Sequence, residues 1–118
     1  METLTFILAG SPYGDEKAWN ALRLAEALAS TVKELKLNIF LLGDAVTMAK
    51  KGQKPPQGYY NLENMLKTLI QYNVNTLACI TCMKARGLEQ NELVEGIQAG
   101  TMIQLAKWVI ESQKVIQF

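Results

Sequence analysis

The chain contains no histidine. This removes the Ser-His-Asp and Cys-His arrangements in which an imidazole activates a nucleophile, along with histidine general bases and every mixed Cys/His zinc pattern. Chemistry therefore falls to Cys, Asp, Glu, Lys, Tyr or a partner. A charge bias is also missing. Twelve Lys and Arg against eleven Asp and Glu leave a net +1, with no broad basic field for nucleic acid. The one dense basic run, Lys50, Lys51 and Lys54, reads as a solvated loop. No apolar run approaches the length of a bilayer-spanning helix. Glu2 stands where a secretory signal carries a cation, so a cytoplasmic location is expected. No repeat, low-complexity tract or linker divides the 118 residues, which suit one domain over 1–118.

About half of the residues are apolar (49%), enough for a real core, and their pattern is alternately that of strands and helices. Short apolar runs at Thr3–Ala9, Asn38–Leu42 and Thr76–Ile80 read as strands buried on both faces. Leu93–Ile97 reads as a brief fourth strand and Lys114–Phe118 as a fifth. Between them lie helical stripes. Ala18, Leu22, Ala25, Ala29 and Val32 recur at steps of three and four after a start at Asp15 and Glu16. A second stripe covers about Asn61–Tyr72, and a short helix is expected from Asp44 to Ala49. Gly52–Gly58 is a Pro/Gly-punctuated loop. Ala99–Ser112 is apolar around most of its girth, which implies either deep burial or contact with another subunit. Strands alternating with helices give an α/β fold with a mainly parallel sheet covered on both faces.

Cysteine is scarce, and both copies fall in Cys79-Ile-Thr-Cys82-Met-Lys84-Ala-Arg86-Gly87 at the end of the third strand. Reactive groups in open α/β sheets gather beyond the carboxyl ends of the strands. A helical turn starting at Thr81 or Cys82, with Lys84 and Arg86 nearby, would favour thiolate over thiol. The bland alternative is a pair of packed, inert cysteines. Three functional readings stay open. A zinc site would be half supplied, needing carboxylates or a second subunit. A thioredoxin-type dithiol has the spacing but lacks that family's Trp and Pro. Sulfur carriage needs one reactive thiolate with a cation, which Cys79 and Arg86 provide.

The Gly10-Ser11-Pro12-Tyr13-Gly14 loop lies where phosphate loops lie, yet matches neither dinucleotide nor Walker spacing. It is a flexible strand–helix connection or one wall of the cysteine site. Asp44, at the same edge, serves as a helix cap or a polar pocket residue. Tyr59 and Tyr60 read as loop anchors, and Trp19 and Trp108 as core or interface.

Ala9-Gly-Ser-Pro-Tyr-Gly14, Leu22-Arg-Leu-Ala25, Asp44-Ala-Val46, Gly52-Gln-Lys-Pro55, Cys79-Ile-Thr-Cys82, Arg86-Gly87 and the run from Gly100-Thr101 to Phe118 together resemble the DsrE-like family, and within it the small YchN-type branch. The resemblance implies a three-layer α/β/α sandwich with a five-stranded parallel sheet, assembled as a homotrimer or homohexamer. It implies a sulfur-handling protein, a persulfide carrier or sulfurtransferase-like subunit that exchanges sulfur with donor and acceptor proteins. No resident metal or cofactor, membrane or direct nucleic-acid contact is implied. The relay cysteine of sulfur-carrying members falls on Cys79. Cys82 has no counterpart in them but resembles the YchN-type pattern, and its thiolate could attack a persulfide on Cys79. Arg86 and Lys84 would stabilise the anion, with Ser11, Pro12, Tyr13 and Asp44 lining the pocket. The competing expectations are a dithiol redox protein without sulfur transfer and a non-enzymatic oligomeric binding module.

Overall fold

The computed structural model describes residues 1–118, in which five strands form one parallel sheet of order β4-β3-β2-β1-β5. Strand β1 (Glu2–Leu8) leads into helix α1 (Lys17–Thr31), and β2 (Leu35–Leu41) into a 3-10 helix at Gly43–Ala49. Helix α2 (Leu62–Gln71) precedes β3 (Asn75–Cys79) and the short α3 (Ile80–Ala85). Strand β4 (Gln98–Gly100), helix α4 (Met102–Glu111) and β5 (Lys114–Gln117) complete the chain. Local chemistry sets several of these boundaries. Asn61 caps α2 by accepting the Asn64 N–H at 3.0 Å. Thr101 and Gln104 form a capping box that starts α4. No helix is long and apolar enough to cross a membrane.

Residue alternation divides the sheet between two helical layers. Phe40 stands edge-on to Trp108 of α4, with ring centroids 6.0 Å apart. Leu77 shares that face by register with Phe40. Phe6, Ile39 and Leu41, all essentially inaccessible, alternate to the opposite face, where α1 and α2 pack. Gly100 lies close beneath α4: a Cβ there would be 2.9 Å from the Leu77 Cβ and 3.2 Å from the Phe40 ring.

A buried polar chain also crosses the sheet. Asn75 Nδ2 donates to Asn38 Oδ1 (2.9 Å), and Asn38 Nδ2 donates to Thr5 Oγ1 (3.3 Å). The Thr5 and Ser112 hydroxyls meet at 2.7 Å, and Ser112 donates to the Trp108 carbonyl. Each buried group has a partner, so the chain fixes register without leaving an unpaired dipole.

One expectation needs correction, and one of two alternatives is removed. The apolar run Leu93–Ile97 is not a strand: it is a buried loop, turned by Gly96 at φ 97°, and the strand is the more polar Gln98–Gly100 beside β3. A buried loop and a buried strand share the same composition. Helix α4 is not deeply buried within one chain. Only Leu105 is buried, while Ile103 and Ile110 are 76% and 86% exposed.

Glu63 is a buried carboxylate on α2 that anchors the 50–58 loop. It accepts the Gly52 and Gln53 N–H groups at 2.9 and 2.8 Å and pairs with Lys67. Burial opposes its ionisation, but the Gln53 amide, Lys67 and the Gly52 amide outweigh burial and hold its carboxyl below the usual carboxylate range. A depressed folded-state pKa stabilises the fold above the unfolded carboxylate range, and that contribution is lost as pH falls through the folded value. Glu63→Gln is therefore expected to lower stability by about 1–2 kcal/mol near neutral pH and by little in acid. Urea melts at both pH values check this; a constant difference would remove the assignment.

Candidate functional site

Cys79 is the last residue of β3 and caps α3 (φ −56°, ψ 120°). Its side chain makes no capping hydrogen bond to the amides that open α3. Strand β2 neighbours β3 in the sheet, so the turn that follows β2 abuts the same edge. There the Gly43 N–H donates to Cys82 Sγ at 3.2 Å. Gly43 has φ 56°, and a Cβ would lie 3.5 Å from the Ala9 carbonyl oxygen. The ends of β1, β2 and β3 thus converge around the two thiols, both of which are free.

The electrostatics differ from the sequence expectation of an acidified Cys79. Burial, the largest effect, pushes its thiol up. The Cys82 amide pulls it down, the Cys82 side chain pushes it up as hydrogen-bond partner and as a second potential anion, and the Thr81 amide pulls it down. The net result is a pKa above the ordinary thiol value, because Cys79 is only 4% exposed and the thiolate loses its water. Alkylation of native Cys79 is accordingly expected to accelerate only above the ordinary thiol midpoint. Iodoacetamide labelling across pH, read by peptide mass spectrometry, checks this; fast labelling at neutral pH would contradict it.

Arg86 does not rest on a sulfur. Its Nη2 and Nε donate to Asp44 Oδ1 at 2.7 and 3.2 Å, and its Nη1 donates to the Cys82 carbonyl at 3.0 Å. Asp44 provides no side-chain cap to its own 3-10 helix; its carboxylate instead ties that turn to the end of α3. Lys84 is exposed in the last turn of α3 and belongs to no ion pair. Ser11 and Pro12 are half-buried and make no hydrogen bond to either sulfur. Tyr13 bonds elsewhere: its hydroxyl donates to Gln53 Oε1 and accepts the Leu62 N–H.

The structure thus joins Cys79, Cys82, Asp44 and Arg86 and adds Gly43, while Tyr13 is committed to the 52–62 segment. Gly43 was legible in principle, since a glycine ending the neighbouring parallel strand must abut the cysteine turn. No third Cys, Asp, Glu or His gathers with the sulfurs to make a metal-holding group.

The sequence profile of the DsrE/DsrF-like family matches residues 2–118. The chain belongs to the DsrE/DsrF-like family. Protein YchN of Escherichia coli K12 is 41% identical over 118 residues, covering all of both chains. The crystal structure of E. coli YchN superposes with a TM-score of 0.95, again over both full chains. An uncharacterized protein of Methanopyrus kandleri, MK0008, is 39% identical over 100% of this chain and 95% of its own. More distantly, a protein of Vibrio vulnificus named sulfurtransferase TusD homolog is 27% identical over 97% of this chain and 95% of its own.

Proposed function

We propose that this DsrE/DsrF-like protein handles sulfur as a persulfide on Cys79, exchanging it with donor and acceptor proteins in the cytoplasm, where reducing conditions keep both thiols free. The observation that carries this reading is the placement of Cys79 at the carboxyl end of an interior strand, directly before the amides that open α3. Those dipoles favour a sulfur anion held at that point. The distant likeness to a sulfurtransferase TusD homolog points the same way. Cys82 is the second thiol, supported by the Gly43 N–H. Arg86 and Asp44 position α3, and Lys84 is the free cation at its end. A homotrimer or homohexamer would cover Met102, Ile103 and Ile110, which α4 leaves exposed.

The test is intact-protein mass spectrometry after incubation with a cysteine desulfurase and cysteine, without reductant. The expected result is a gain of one sulfur atom on the wild type. Absence of any gain would overturn the proposal.

A second reading is favoured by one observation, the two free thiols one helical turn apart at the end of β3. It makes the pair a reversible dithiol that needs no persulfide. Thiol counting after exposure to oxidised glutathione separates the two: this reading requires a disulfide to form without any sulfur loading.

A further inference from the structure

A concave site lies at the β1–α1 loop. It is a cleft of about 300 Å³ lined by Tyr13, Asp15, Glu16, Gly58, Tyr59 and Tyr60. Its aromatic walls are fixed. Tyr60 stacks between Trp19 (centroids 5.0 Å apart, 11° between planes) and Tyr13 (5.8 Å, 18°). Tyr60 donates to the Asp15 carbonyl, and Tyr13 is pinned by Gln53 and Leu62. Tyr59 tilts towards Tyr60 at 6.2 Å, is 60% exposed, and follows Gly58 at φ 92°.

Charge gives the cleft its sign. Asp15 and Glu16 both face it, and neither is in an ion pair; the only polar contact of the Asp15 carboxylate is the Lys17 amide at 2.8 Å. Burial raises the Tyr60 pKa, and Glu16, Tyr59, Tyr13 and Asp15 raise it further. The far end of the same aromatic stack already holds a cation: the Arg23 guanidinium lies 4.5 Å from the Trp19 ring centroid. Aromatic faces attract cations through their quadrupole, and two uncompensated carboxylates add attraction. A neutral apolar ligand would gain from neither.

We propose that this cleft recognises an alkylammonium group, the head of a small polyamine or of a lysine side chain. The volume suits one such group, and the proposal is independent of the sulfur chemistry.

The test is a ¹H–¹⁵N NMR titration of the full chain with choline chloride, spermidine and N-acetyl-lysine methylamide. 3,3-Dimethyl-1-butanol serves as the neutral isostere, and sodium chloride matches ionic strength. Saturable shifts are expected at the amides of Asp15, Glu16, Gly58 and Tyr59. Tyr59→Ala should weaken binding by about fivefold and Glu16→Gln by about threefold, within the range of partly exposed cation–aromatic contacts. Both residues are exposed, so the variants keep the fold, and unchanged spectra elsewhere verify this. Saturation by the lysine derivative alone assigns a partner's side chain, and saturation by spermidine alone assigns a free polyamine. Equal binding of the neutral isostere, reproduction of the shifts by sodium chloride, or unaltered affinity in both variants would overturn the proposal, as would no saturation by any amine.

Discussion

Cys79→Ala is expected to abolish sulfur loading, whereas Cys82→Ala is expected to keep it and to lengthen the life of the loaded protein by about tenfold or more. The asymmetry follows from the surroundings of the two sulfurs. Cys79 ends β3, buried just before the amides that open α3. Cys82 lies one turn on, with the Gly43 amide on its sulfur. When a persulfide stands on Cys79, a Cys82 thiolate can attack its inner sulfur. The bond between Cys79 Sγ and the outer sulfur breaks, a Cys79–Cys82 disulfide forms, and hydrosulfide leaves with the outer sulfur. An external thiol must then reduce the disulfide before another cycle. Without Cys82 this exit closes and the persulfide persists until an acceptor takes it. Time-resolved intact-protein mass spectrometry measures both variants, with Cys79→Ser as a second form that retains a polar group. Equal loading of the Cys79 variants, or equal decay of wild type and Cys82→Ala, would contradict these roles.

Most of the fold was legible because the strands are buried runs bounded by glycine or polar turns. Phe6, Ile39 and Ala78 sit on strands anticipated from composition and length alone, and the all-parallel pairing follows from helices between them. The fourth strand was misplaced because Leu93, Val94 and Ile97 are as buried as strand residues (4%, 1% and 1% exposed). Apolar composition reports burial, and here burial occurs without a ladder. Asn38 and Thr5 were hidden for the converse reason. A polar residue inside an apolar run carries no mark of its partners, which come from β3 and from the end of α4.

The site was legible as a position more than as an electrostatic environment. Topology brings the end of β3 beside the end of β2, so the Gly43 N–H meets Cys82 Sγ and Asp44 meets Arg86. The sign of the Cys79 shift was not legible. Helix dipole and nearby cations are visible in sequence order, whereas desolvation depends on how completely the neighbouring elements close over the sulfur. Arg86 illustrates the same limit: its proximity to the cysteines is sequential, but its donors go to Asp44 Oδ1 and the Cys82 carbonyl. The Tyr13–Tyr60–Trp19 stack joins residues far apart in sequence, and only the structure shows that they share one wall.

Phe40→Ala is expected to cost about 3–5 kcal/mol, a large share of the roughly 5–15 kcal/mol typical of a domain. Phe40 is fully buried at the centre of the sheet, opposite Ile7 on β1 and Leu77 on β3. Its ring meets Trp108 edge-on, and Gly100 leaves room for it by lacking a Cβ. Collapse cannot easily refill the space. Leu77 and Ile7 are held by the strand ladders, and α4 is tied at Ser112 to Thr5. Phe40→Leu keeps most of the volume and should cost about 1.5 kcal/mol or less, so the difference between the two variants isolates the cavity. Urea unfolding followed by far-ultraviolet circular dichroism gives the stabilities, and tryptophan fluorescence reports the Trp108 contact. A loss below about 1 kcal/mol for Phe40→Ala would mean that α4 moves to fill the gap, and the polar chain from Asn75 to Ser112 would then have to break or shift with it.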